Sequence, residues 1–150
     1  MRIFSRRSAI ACLSAACLSL AAAVPALADG TGGRVALRGY DPVSYFTAGH
    51  PEQGKAEFSY SYRDATYLFV SDEHLKMFAA DAAHYAPQYD GYCTISMSMG
   101  HKLEGDPQAF TITDGKLYIF SSTKGVPTFS ADADAISKKA NASWVGLKTN

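Results

Sequence analysis

In the stretch Ala109-Phe110-Thr111-Ile112-Thr113-Asp114-Gly115-Lys116-Leu117-Tyr118-Ile119-Phe120-Ser121, two runs rich in β-formers flank an Asp-Gly pair. Phe110 and Ile112 alternate with Thr111 and Thr113, as a pleated strand requires. Asp-Gly between such runs is a strong signal for a type I′ hairpin, because both central residues must take positive φ. A second hairpin precedes it. Glu57–Tyr62 and Thr66–Val70 flank Arg63-Asp64-Ala65. Phe58, Tyr60 and Tyr62 fall on one face, and Tyr67 and Phe69 can join them. Two hairpins with short helices between and after them predict an α+β fold, with the hairpins joined in one small antiparallel sheet.

The helices are read from caps and breakers. Ser71 caps a helix over Asp72–Ala80, with Asp72 and Glu73 at its positive end and Leu75 and Phe78 facing inward. Asp81–Tyr85 adds a turn of helix that stops before Pro87. Val43–Thr47 reads as a short helix with Asp41 at its cap and Pro42 at its first position. Val35–Tyr40 reads as a short strand or extended segment, and Gly49–Lys55 as a loop. A polar, Ala-rich helix is expected from Ser130 or Ala131 to Asn141, after which Trp144 docks on the body. Gly91–Gly100 fits helix or strand equally. No internal repeat of solenoid type is evident.

The first 28 residues read as a cleaved signal peptide. Arg2, Arg6 and Arg7 form a positive start, Ala9–Val24 is apolar, and Ala26-Leu27-Ala28 is a cleavage site. Ser5-Arg6-Arg7-Ser8-Ala9-Ile10 matches a twin-arginine signal, which we favour over an ordinary secretory one. The mature chain is then expected to be periplasmic or secreted, with no stable membrane insertion. Residues 29–34 form a flexible lead-in, and residues 35–150 a single domain. The 14 basic and 14 acidic residues balance in the full chain, so losing three arginines leaves the mature chain acidic by three charges. No basic stripe with interleaved aromatics is present, which argues against nucleic acid. Cys12 and Cys17 leave with the signal. Cys93 stays without an intramolecular partner, which in an oxidising compartment marks it as buried, bound, paired between chains or reactive.

The chemistry concentrates in Cys93-Thr94-Ile95-Ser96-Met97-Ser98-Met99-Gly100-His101. A thiol, two thioethers and an imidazole suit copper, above all Cu(I), and zinc less well. A helix would align Cys93, Met97 and His101, whereas a strand would align Cys93, Met97, Met99 and His101. The competing reading makes Cys93 and Met97 core residues. A thiol at a helix start would be acidified and reactive. Among the other histidines, His50 and His84 read as surface or packing residues. No serine-hydrolase elbow, phosphate loop, dinucleotide fingerprint or zincin motif occurs. Asp41, Asp90 and Asp106 adjoin Pro or Gly and read first as turn-makers.

Several segments together resemble the YHS domain family in its exported, longer form. They are Leu37-Arg38-Gly39-Tyr40-Asp41-Pro42-Val43-Ser44-Tyr45-Phe46, Tyr67-Leu68-Phe69-Val70-Ser71, Phe78 and Tyr85-Ala86-Pro87-Gln88-Tyr89-Asp90-Gly91-Tyr92-Cys93. Gly105-Asp106-Pro107, Asp114-Gly115-Lys116-Leu117-Tyr118 and Ala140-Asn141-Ala142-Ser143-Trp144 extend the likeness. The resemblance implies a treble-clef-like module in which cysteines hold a metal. The family's cysteine positions fall here on Ser44, Val70 and His74, so only His74 keeps a good donor, and it is a further candidate ligand. The expectation is therefore an exported copper-binding protein with a sensing, carrying or sequestering role and no catalysis. The alternatives are a metal-free module that binds a small molecule or a protein, and a thiol-based redox enzyme. The oligomeric state is left open.

Overall fold

The computed structural model describes residues 33–148. The expected signal peptide and most of the expected lead-in lie outside the described residues. The strands are β1 (Arg34–Val35), β2 (Lys55–Tyr62), β3 (Ala65–Phe69), β4 (Asp106–Thr113) and β5 (Lys116–Phe120). The helices are α1 (Ser44–Thr47), α2 (Asp72–Ala80), α3 (Ala82–Tyr85), α4 (Thr94–Ser98), α5 (Gly125–Ala131) and α6 (Ala133–Leu147). The α+β class is as expected. Among the described residues no helix is long and apolar enough to cross a membrane.

Both hairpins form where the turn residues place them. Asp114 and Gly115 have φ of 51° and 69°, and Thr113 pairs with Lys116 across them. In the first hairpin Arg63 takes φ of 53° and Tyr62 pairs with Ala65. The single sheet expected from them does not form. β1, β3 and β2 make one sheet, with β1 parallel to β3, while β4 and β5 make another. β1 occupies the free edge of β3, and each hairpin turns its aromatic face onto its own helix instead of its neighbour.

The two halves share one design, repeated roughly fifty residues apart. Each begins with a left-handed turn: Leu37, Arg38 and Gly39 in the first, Tyr89, Asp90 and Gly91 in the second. A tyrosine and a short helix follow, and the tyrosine makes an isolated bridge to the residue before the hairpin glycine, Tyr40 to Gln53 and Tyr92 to Glu104. Each hairpin carries an irregularity at the same place, between Lys55 and Ser59 and between Asp106 and Phe110. Ser59 then pairs with Leu68 as Phe110 pairs with Ile119. Asp81 and Asp132 cap the helices that close the halves, each through its side chain. The sheets differ because the stretch equivalent to β1 is Ala86-Pro87, and proline offers no N–H to a ladder.

Each half has its own core. Phe78 sits fully buried under Tyr60, Tyr62, Tyr67 and Phe69, with Tyr67 at 5.0 Å and Phe69 at 5.1 Å between ring centroids. Phe129 repeats this under Tyr118 and Phe120, at 4.6 and 5.5 Å. Leu37, Tyr45, Leu117 and Ile119 form a third cluster that joins the halves. There the Tyr45 hydroxyl donates to the Pro107 carbonyl at 3.0 Å.

Other boundaries shift from expectation. Val35–Tyr40 is not extended throughout, because the left-handed turn begins at Leu37. Gly91–Gly100 resolves as the helix α4. The last helix is longer than the composition suggested, and Trp144 docks from within it onto Tyr89 and Tyr92.

The repeat sets a test. Gly54 and Gly105 occupy equivalent positions against the hairpins. A Cβ on Gly54 would stand 2.5 Å from the Leu68 backbone, and one on Gly105 2.3 Å from the Ile119 side chain and 2.6 Å from the Gly91 carbonyl. Gly115 needs only its φ of 69°, with open space around it. Urea unfolding should show Gly115→Val losing about 1 kcal/mol, and Gly54→Ala and Gly105→Ala each about 2 kcal/mol or more.

Candidate functional site

Cys93 occupies the residue before α4, and its backbone N–H donates to the Leu103 carbonyl at 2.8 Å. It is 2% exposed, and its Sγ lies 3.6 Å from Ser121 Oγ. Burial pushes the thiol pKa up, but hydrogen bonds from the backbone and hydroxyl of Ser96 and of Ser121 outweigh it. The net result lies below the ordinary thiol value. The thiol borders a cavity of about 270 Å³, which Met99 and Gly125 also line.

The structure divides the other sulfur and imidazole groups. Met97 is fully buried, packed in the core with Cys93, Tyr89 and Phe129. Met99 is 63% exposed on the Cys93 cavity. His101 is exposed and does not line that cavity. Neither shared face read from the spacing exists, because α4 ends at Ser98. Gly100, with φ of 82°, stops it: its N–H donates to the Met97 carbonyl at 3.0 Å, and the His101 N–H to the Ser96 carbonyl at 3.0 Å. This paired arrangement is a Schellman cap. Among the described residues no group of three or more His, Cys, Asp and Glu side chains is placed to hold a metal ion.

His74 belongs to the first half. Its Nδ1 lies 2.7 Å from Oδ2 of Asp41, a residue with no exposed surface. The same oxygen accepts the Val70 N–H at 2.9 Å, and Oδ1 accepts the Val43 N–H at 2.7 Å. Ser44 Oγ donates to the Asp41 carbonyl at 2.7 Å and accepts the Glu52 N–H at 3.1 Å. Ser44, Val70 and His74 thus gather around one residue, Val70 and His74 at the Asp41 carboxylate and Ser44 at its backbone carbonyl. They are the three positions where the YHS resemblance places cysteines. The sequence marks Asp41 only as a turn-maker and cap. Its donors lie up to 33 positions away, so no local pattern announced its role.

Asp41 and Cys93 stand at equivalent places in the repeat. Each follows the bridge tyrosine of its half and precedes the short helix. Each meets the end of its own hairpin, Asp41 through Val70 and Cys93 through Ser121. The first half fills the place with a carboxylate and the imidazole of His74. The second holds a thiol, with Gly125 at the position equivalent to His74 and the cavity beside it.

Comparison with known proteins finds no matching family model, no similar curated protein and no similar solved structure.

Two outcomes follow from this geometry. Asp41→Ala strands two backbone N–H groups and an imidazole, and should cost about 3 kcal/mol or more in urea unfolding, with Asp41→Asn milder. The ultraviolet absorbance of the Cys93 thiolate should rise at a lower pH than in the unfolded chain, and Ser121→Ala should move that midpoint back up. Because the folded pKa is the lower one, ionisation of the thiol stabilises the fold above the unfolded thiol's pKa. That gain is lost as pH falls through the folded value.

Proposed function

We propose that this is an exported protein that binds Cu(I), with the Cys93 thiolate as anchor and the Met99 thioether as second donor. The observation that carries the reading is the equivalence of Cys93 with Asp41. The repeat builds an anion-holding position twice and fills the second with a sulfur whose pKa is lowered. Met99 on the same cavity adds a second soft donor, and thiolate with thioether selects Cu(I) among biological cations. Zinc fits less well, because a structural zinc site takes about four ligands and the cavity is not lined by histidine. The YHS resemblance and the signal-like first 28 residues agree with a metal handled outside the cytoplasm. The role is sequestration or carriage. His74 is committed to Asp41 and Met97 to the core, so neither is a ligand in this reading.

The lowered thiol pKa also favours a second reading, in which Cys93 exchanges with disulfides or reacts with oxidants.

Competition against a Cu(I) chelator under reducing conditions separates these. Wild type should retain one Cu(I), Cys93→Ala none, and Met99→Leu should bind about tenfold or more weakly, the loss of roughly 1.4 kcal/mol. Met97→Leu and His101→Ala should bind as wild type. Equal competition by wild type and Cys93→Ala would overturn the copper reading, and rapid thiol oxidation in a protein that takes up no copper would establish the second.

A further inference from the structure

A different part of the molecule carries a second site. The C-terminal turns of α6 bring Trp144 beside the left-handed turn Tyr89-Asp90-Gly91 and the tip of the first hairpin. Two adjoining cavities of about 540 and 340 Å³ open there, and Asp64, Asp90, Trp144 and Lys148 line both. They form one groove, within the size range of small-molecule sites.

The floor of the groove holds a polar atom without a hydrogen bond. Asp90 is 6% exposed, and its Oδ1 has no hydrogen-bond partner. The Arg63 guanidinium stands 3.6 Å from that oxygen, too far for a hydrogen bond. Arg63 is itself half-exposed and lines the same groove. Arg34 is engaged elsewhere, on the Glu104 carboxylate at 3.1 Å, on the Asp90 carbonyl and over the Tyr92 ring at 4.1 Å. The Tyr67 hydroxyl, also buried and without a hydrogen bond, feels the Asp90 charge. A buried acceptor in this state favours a ligand that brings it a donor.

The surroundings narrow what that donor is. Arg34, Arg63, Lys102 and Lys148 line the groove against Asp64, Asp90 and the Glu104 carboxylate that holds Arg34, which leaves one net positive charge and a field that favours an anion. A ligand ammonium at Asp90 would be repelled by the two guanidinium groups there, whereas a neutral N–H would not. The half-buried Trp144 offers a flat apolar wall, 6.1 Å from Tyr89 and 6.3 Å from Tyr92 between ring centroids.

We propose that this groove binds a planar nitrogen heterocycle that carries a neutral N–H donor and an anionic substituent. The ring lies against Trp144, the N–H reaches Asp90 Oδ1, and the anion turns toward Lys148 and Arg63. The site is separate from Cys93 and stands whether or not the copper reading does.

The protein has one tryptophan, so its fluorescence reports on the groove directly. The probe is guanosine monophosphate, whose ring edge carries N–H donors. Titration should give saturable quenching of Trp144. Ribose phosphate, which has the anion without the ring, should give none, and guanosine, which lacks the anion, should bind about tenfold more weakly. Asp90→Asn and Lys148→Glu should each weaken the nucleotide by about tenfold. Lys148 lies on the surface at the end of α6, so its variant tests the groove even where Asp90→Asn disturbs the turn. Three results would overturn the proposal. They are no saturable response to the nucleotide, competition by ribose phosphate as strong as by the nucleotide, or unchanged affinity in a folded Lys148→Glu protein.

Discussion

Each half of this molecule is closed by one phenylalanine. Phe78 and Phe129 come from the helix after their hairpin, and each plugs the aromatic face that the hairpin presents. A two-stranded hairpin alone is marginal in water, so without this contact neither sheet would persist. A buried phenylalanine contributes about 3–5 kcal/mol when judged by truncation to alanine, a large share of the stability of a domain this size. The rest of the design follows from it. The helix must start just after the strand, which the Ser71 side chain enforces by accepting the His74 N–H at 3.2 Å. The strand must meet the preceding loop closely, which Gly54 and Gly105 allow.

What could be read from the chain was what is local. Asp114-Gly115, the Ser71 cap and the face shared by Phe58, Tyr60, Tyr62, Tyr67 and Phe69 all depend on neighbours within a few positions, and all appear in the structure. The tandem design was invisible because so few identities carry it. Gly54 with Gly105, Tyr67 with Tyr118, Phe69 with Phe120, Phe78 with Phe129 and Asp81 with Asp132 agree, but the turns between them use different chemistry. Arg63 and Asp114 reach similar positive φ, 53° and 51°, as unrelated residues, and Asp64 stands where the second turn has Gly115. The left-handed turns were hidden for the same reason. Leu37, Arg38 and Tyr89 are not residues that announce positive φ, and only Asp90 and the glycine after each pair hint at it. Among the candidate ligands, periodicity over nine residues suggested a common face, and the single glycine at position 100 divided it.

The divergence between the halves is where chemistry has room to arise. The first half completes its anion-holding place internally, with backbone donors and His74 filling both carboxylate oxygens of Asp41. The second leaves a gap beside a polarisable atom, since Gly125 supplies no ring. A duplicated scaffold lets one copy carry the structural burden and the other depart from it. The Asp90 turn is a second departure, for its counterpart in the first half carries Arg38.

Arg34 gives the molecule a clasp. It pairs in β1 with the first hairpin, yet its guanidinium reaches Glu104, 70 positions along the chain, and the carbonyl of Asp90. Closing so long a loop costs entropy that is recovered only once the intervening elements have already drawn the ends together. A force or fusion applied just before Arg34 therefore bears on the second half as well as on the first.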